Sequence, residues 1–135
     1  MSIERIEQNG ELLAIIIRHH NNPEHVDFVT KEQDGLQLGF HTRQPGERVK
    51  AHQSLPFNNL VSLPSNKIYH LQSGKGTIDI YDTYDKKVCD VTLWAGDTII
   101  FISGGHGMTF DKQSKMLEVK QGPYQQRENE KRFLE

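Results

Sequence analysis

The sequence predicts an all-β fold, either a closed antiparallel barrel or a two-sheet sandwich. Three observations predict it: short apolar runs of strand length recur from end to end, pairs of turn-forming residues separate them, and no stretch has a convincing helical period. Many short strands separated by such turns are typical of these two architectures. A chain of 135 residues is long enough for one domain with one core.

The strands are predicted from runs rich in Ile, Val, Leu, Thr and Tyr, which favour the pleated, half-buried surface of a sheet. In chain order the runs are 11–17, 25–30, 35–42, 58–63, 67–72, 76–82, 87–94, 97–103 and 115–120. The intervening turns are predicted at Pro45-Gly46, Ser73-Gly74, Ala95-Gly96-Asp97, Gly104-Gly105 and Gly122-Pro123. Ile78 and Ile80 alternate with polar neighbours, which places both on the buried face of one strand.

The last residues, 121–135, form a charged tail with two apolar side chains near its end, Phe133 and Leu134. Two interpretations are open. The tail is solvated or forms a short helix, or Phe133 packs back over the barrel and brings Lys131 and Arg132 to its mouth.

Composition and charge narrow the classes of partner. The formal net charge is −2, without a basic stripe, so we expect no nucleic-acid binding. The longest apolar run, Leu12 to Ile17, has six residues against about 20 for a membrane span, and the first residues lack the pattern of a secretory signal. We therefore expect a cytoplasmic protein with no membrane partner.

The single cysteine, Cys89, excludes an internal disulfide.

Three segments stand in the order of two known sequence motifs: PGERVKAH (45–52), HLQSGKGTIDIYD (70–82) and LWAGDTIIFISGGHG (93–107). Together they resemble the cupin superfamily, whose members are small antiparallel jelly rolls. Likeness in ELLAIIIRHH (11–20) and EVKQGPY (118–124) points to stand-alone single-domain cupins. The resemblance implies one jelly-roll β-barrel domain over residues 1–135, with its core at about 35–120.

The ligand positions of the cupin motifs are largely substituted in this chain. Cupin metal sites usually present two His and one Glu from the first motif and one His from the second. His52 matches the first of these, but Ser54, Lys67 and Gly107 stand at the other three positions. The resemblance therefore implies a degenerate metal site.

A second set of imidazoles lies in or beside the same motifs: His41, His52 and His106. Three neutral imidazoles are chemically sufficient for one divalent transition metal with open positions for substrate. His70 is expected on the other face, because Lys67 and Tyr69 alternate with it along their strand.

A site without metal is the other interpretation. A lysine in a partly apolar barrel has its charged form disfavoured and acts as a base or an anion contact, and glycines beside His106 allow close backbone approach to a ligand. The predicted catalytic residues are Lys67, Tyr69 and His106. The predicted ligand-binding residues are Arg43, His52, Gly104, Gly105, Glu118 and Lys120.

Three functions remain open from the sequence. The first is binding of a small polar molecule, such as a carbohydrate or nucleotide-sugar derivative, with or without isomerase or epimerase activity. The second is a metal-dependent oxygenase or isomerase that uses the histidines. The third is a non-catalytic structural or regulatory module. A homodimer is expected, since jelly rolls of this size pair through sheet edges.

Overall fold

The computed structural model describes residues 2–56, 63 and 65–135. Within these residues the chain forms ten strands and one short helix. The strands are β1 Ile3–Gln8, β2 Glu11–Ile17, β3 Val26–Phe28, β4 Gly39–His41, β5 Lys67–Ser73, β6 Lys75–Tyr81, β7 Lys87–Trp94, β8 Thr98–Phe101, β9 Gly105–Phe110 and β10 Lys115–Lys120, and the helix α1 is Arg127–Glu130. In this described part, no helix has the length and apolar character that a membrane span requires.

The chain divides into two compact units. The smaller unit, Asn22–Leu63, contains the short antiparallel pair β3 and β4. The larger unit consists of Met1–Asn21 and Pro64–Glu135 and contains the other eight described strands. All strand pairs are antiparallel, so the predicted all-β antiparallel class is confirmed.

The larger unit is built from two sheets that share one core. The five-stranded sheet has the order β1-β2-β8-β5-β10, and the three-stranded sheet has the order β7-β6-β9. Leu71 and Ile99 from the first sheet join Ile78, Ile80 and Leu93 from the second in one buried cluster. The two sheets therefore face each other, and each supplies the apolar face of its alternating strands.

Strand β2 is buried on both of its faces. Its last five residues, Leu13–Ile17, are all buried. Ile16 joins the shared core, whereas Ile15 and Ile17 lie outside that cluster. A β-bulge opposite Ile6 turns Leu13 to the core as well.

The structure adds two strands that the sequence did not predict. Strand β1 pairs with β2 through a hairpin at Asn9-Gly10, where both residues have positive φ; Asn-Gly is the preferred pair for this tight turn. Strand β9 begins at Gly105, which was predicted as a turn residue, and pairs with β6. The turn itself is made by Gly104, with φ of 75°. The predicted strand at 58–63 lies outside the described residues apart from Leu63.

Candidate functional site

The larger unit contains a cavity of about 490 Å³. Both sheets and the C-terminal residues line it. The strand residues on its wall include Lys67, Tyr69, Phe101, His106 and Met108, and the last six residues of the chain, 130–135, close one side. The three residues predicted as catalytic, Lys67, Tyr69 and His106, are therefore brought to one cavity.

Alternation along β5 sets which side chains reach this cavity. Lys67 lies opposite Phe101 of β8, and Tyr69 lies opposite Ile99 in the same ladder. Since side chains two residues apart share a face, Lys67 and Tyr69 lie on the core side. His70 lies on the other face, as predicted, where its Nδ1 is 2.9 Å from the Thr98 hydroxyl.

A cluster of three rings connects the two sheets at the cavity. The ring of His106, on β9, stacks on Phe101 with centroids 3.9 Å apart and an interplanar angle of 8°. Tyr69 meets both rings edge-on, with centroid distances of 5.8 Å to Phe101 and 6.0 Å to His106. We call Tyr69, Phe101 and His106 the ring cluster. His106 thus lies on a strand and not inside the predicted glycine turn.

The environment of His106 keeps its imidazole neutral at pH 7. Burial lowers the pKa of His106 to about 4, and repulsion from Lys67 and Lys131 acts in the same direction. A neutral imidazole offers one donor and one acceptor nitrogen. His106 therefore suits hydrogen bonding to a polar ligand.

Tyr69 keeps its phenol proton for a similar reason. Burial raises the pKa of Tyr69 to about 12, and the negative charge of Glu118 adds to the effect. The side chain is 6% exposed, yet neither its hydroxyl nor the His106 ring makes a hydrogen bond to any residue of the described ranges. Neither group is a fully buried polar atom without a partner, so both are reached from the cavity and are open to a ligand.

Lys67 provides the positive charge at this wall. Its Nζ lies 3.8 Å from a carboxylate oxygen of Glu118 and 5.9 Å from the Tyr69 ring centre. Burial lowers the pKa of Lys67, whereas Glu118 opposes that shift. In the ladder of β5 and β10, Glu118 lies opposite Tyr69 and Lys120 lies opposite Lys67. The contact between Lys67 and Glu118 is therefore a diagonal one across the two strands.

Two predicted ligand residues lie beside the cavity and not on its wall. Glu118 contacts Lys67, and Lys120 binds Glu130 at 3.0 Å. Lys120 lines a smaller neighbouring cavity of about 70 Å³ together with Lys67. Each of the two residues therefore contacts the cavity wall through the side chain it pairs with.

The C-terminal tail packs against the cavity, but Phe133 is not its anchor. Phe133 is 62% exposed and lies under the guanidinium of Arg127. Leu134 packs on Gly105 instead, so closely that a Cβ atom at Gly105 would lie 2.8 Å from its Cδ1. Arg132 makes two hydrogen bonds, of 2.9 and 3.1 Å, to the carboxylate of Asp85. The sequence could not indicate which residue anchors the tail, because Leu134 and Phe133 are both apolar and adjacent.

Gly104 and Gly105 both line the cavity, and at each of them packing leaves no room for a side chain. Gly104 combines positive φ with a carbonyl oxygen of Tyr81 where a Cβ would stand. It therefore directs the chain into β9 and places His106 opposite Ile80.

The remaining predicted site residues belong to the smaller unit. Arg43 donates to Nδ1 of His41 at 3.2 Å and lies 3.7 Å from Glu47. His52 is exposed, and its Nδ1 is 2.7 Å from the carbonyl oxygen of Lys50. Over the described ranges, no three His, Cys, Asp or Glu side chains form a group that could hold a metal ion, so the structure gives no support to the His41, His52 and His106 metal set.

The arrangement in the larger unit combines two unpaired hydrogen-bonding groups, an apolar ring surface and a nearby ammonium. These are the features of a site that holds a small molecule with both polar and apolar parts. Comparisons of the chain with protein-family models, curated proteins and solved structures find no match.

Proposed function

We propose that the cavity of the larger unit binds a small polar molecule, with Tyr69 and His106 as its hydrogen-bonding groups. One observation carries the proposal: both side chains line the cavity, and neither makes a hydrogen bond to the described protein. Among the described residues, the fully buried side-chain polar atom without a partner is Nδ2 of Asn21, so the Tyr69 hydroxyl is reached from the cavity by solvent or by a ligand. The cavity of about 490 Å³ is of the usual size for small-molecule sites.

Binding is supported better than acid-base catalysis. A general acid or base works best with a pKa near the operating pH. The pKa of His106 is about 4 and that of Tyr69 about 12, both because of burial. At pH 7 the first is a weak base and the second a weak acid, so isomerase or epimerase activity requires a substrate that shifts these values.

We also propose that the larger unit is a jelly roll related to the cupins, and that the protein is a homodimer. Two facing antiparallel sheets support the first proposal. The edge strands β1 and β10 support the second, since an open edge is a template for pairing. A mass of about 15.5 kDa in light scattering would exclude the dimer.

Thermal stabilisation by a ligand panel tests the binding proposal. The panel contains neutral sugars, polyols and organic acids, added to wild type, Tyr69→Phe and Thr98→Val. We expect at least one compound to raise the melting temperature of wild type and of Thr98→Val, because a ligand that binds the folded state stabilises it. The same compound loses its effect on Tyr69→Phe.

The control matches the variant because each substitution removes one hydroxyl from a nearly buried residue. Thr98 is 7% exposed, but its hydroxyl pairs with His70 on the other face of the sheet. Equal stabilisation of all three proteins, or of none of them, would exclude a ligand held by Tyr69.

A further inference from the structure

The charges around the cavity indicate which class of molecule it binds. We propose that the ligand is a small organic anion, whose acid group lies near Lys67 and Lys131 while its apolar part packs on the ring cluster. This inference rests on the proposed binding function and specifies its ligand.

Most charged side chains on the cavity wall already have a partner. Asp79 lies 3.3 Å from Lys87, and Glu130 accepts hydrogen bonds from Lys120 and from the backbone N–H of Gln125. Arg132 binds Asp85. These charges are therefore balanced by the protein itself.

Two cations are left incompletely balanced. Lys131 lines the cavity and makes no ion pair with any residue of the described ranges. Lys67 has only Glu118, at 3.8 Å. One acid of the wall, Glu135, is likewise without an ion pair among the described residues, so the unpaired charges of the wall are one lysine and one acid, and what matters is which of the wall's charges act at the rings.

Within the ring cluster, positive charges act on His106, whereas the negative charge of Glu118 acts on Tyr69. Apart from burial, the two influences on the pKa of His106 are the charges of Lys67 and Lys131, and both lower it. No carboxylate contributes at that position. An anion beside the imidazole therefore meets attraction from both lysines; Lys67, with 18% of its side chain exposed, is the less screened of the two, whereas Lys131 is exposed.

The apolar part of the wall favours an organic anion over inorganic phosphate. Phe101, Met108 and Leu134 line the cavity beside the rings, and they offer phosphate no partner. Arg132, the one guanidinium on the described wall, is engaged by Asp85. A carboxylate with a hydrocarbon or aromatic body uses the lysines and the rings together.

Matched pairs of acids and their amides test the inference, because the members of a pair differ mainly in charge. The probes are benzoate with benzamide, nicotinate with nicotinamide, and lactate with lactamide, titrated into the full chain at pH 7 by NMR. Inorganic phosphate is titrated separately. We expect at least one acid to bind tenfold or more tightly than its amide and more tightly than phosphate.

Three variants connect this preference to the cavity. In Lys131→Met, which has no ion pair to lose, and in Lys67→Met, the acid-to-amide ratio falls to within twofold. Lys112→Met, an exposed lysine away from the cavity wall, keeps the wild-type ratio.

Three results overturn the inference. Amides that bind as well as acids, with Tyr69→Phe weakening both, exclude anion selectivity but leave the proposed function standing. Phosphate that binds more tightly than every carboxylate excludes the organic part. Absence of binding by all three acids also overturns the inference, and the proposed function fails with it only if the neutral sugars and polyols fail to bind too.

Discussion

Asp97 and Tyr69 are both nearly inaccessible polar side chains of the larger unit, but they differ in what they bind. Asp97 is 0% exposed, and its carboxylate accepts hydrogen bonds of 2.9 Å from the backbone N–H groups of Trp94 and His19 and from Arg18. Tyr69 is 6% exposed and makes no hydrogen bond to the described residues. A similar degree of burial therefore accompanies full pairing in Asp97 and no pairing in Tyr69.

The difference separates a polar group that is paired within the protein from one that faces the cavity without a partner among the described residues. Burial would raise the pKa of Asp97, but the hydrogen bonds from Trp94, His19 and Arg18 outweigh it and lower the value. The carboxylate thus closes the β7–β8 turn and holds the residues after β2 against it. The Gly-Asp pair that resembles a cupin motif has a structural role here, whereas the ring cluster is left open to the cavity.

The largest expected effect is that of Asp97→Ala. It leaves the Arg18 charge and two backbone N–H groups without their acceptor, and we expect a loss of about 3–5 kcal/mol in the free energy of unfolding. Denaturant titration measures it. Asp90→Ala, which removes an exposed carboxylate from the same strand region, serves as control and should leave stability nearly unchanged. Equal losses in both variants would contradict the structural role of Asp97.

The pH dependence of stability should also separate the two regions. The pKa of His106 is lowered to about 4 in the folded protein from 6.5, so the unfolded chain binds more protons between these values. Stability therefore falls as pH drops from 6.5 to 4, by at most about 3 kcal/mol. Asp97 has a lowered pKa as well, so its contribution is lost only below its ordinary value of 3.8.

Denaturation of wild type and His106→Gln over pH 4–7 measures the first of these windows. The variant lacks the titrating ring. The difference in the free energy of unfolding between the two proteins should therefore change between pH 4 and 6.5 and stay constant above pH 6.5. The other charged groups on the described cavity wall are Lys67, Asp79, Glu130, Lys131, Arg132 and Glu135; they are present in both proteins. A constant difference across the range would mean that His106 is not buried as described.

A smaller contrast is expected between two hydroxyl deletions. Tyr69→Phe removes a group without a partner in the described chain, so the free energy of unfolding should change by less than about 0.5 kcal/mol. Thr98→Val leaves the His70 nitrogen without its partner and should cost about 1 kcal/mol. Thermal unfolding without ligand measures both, and the reverse order would show that Tyr69 is bonded within the protein.

The smallest effect on stability is expected for Gly105→Ala. The added methyl group would overlap Leu134, which gives way because it lies near the end of the chain. We expect faster hydrogen exchange at 131–135 with nearly unchanged global stability. Gly122→Ala, where a Cβ meets nothing within 4 Å, is the matched control. Unchanged exchange in both variants would contradict the packing of the tail on Gly105.

Alternation in the sequence was enough to place three side chains on the correct faces of β5. Lys67 and Tyr69 share a face of β5 and His70 takes the other, because successive side chains of a strand point to opposite faces. The structure of the Gly-rich segment was harder to predict. Gly104 to Gly107 suggested a turn throughout, but pairing with β6 makes a strand from Gly105 onward, and only that partner strand decides it.

By itself the sequence determined the antiparallel all-β class, the buried faces of strands such as β6, and the grouping of Lys67, Tyr69 and His106, which line one cavity. These follow from local patterns with a period of two and from turn-forming residues. Tertiary structure alone decided that His106 stacks on Phe101, that Leu134 and not Phe133 packs on Gly105, and that Asp97 is fully paired. Each of these depends on contacts between residues distant in the chain, which local patterns do not encode.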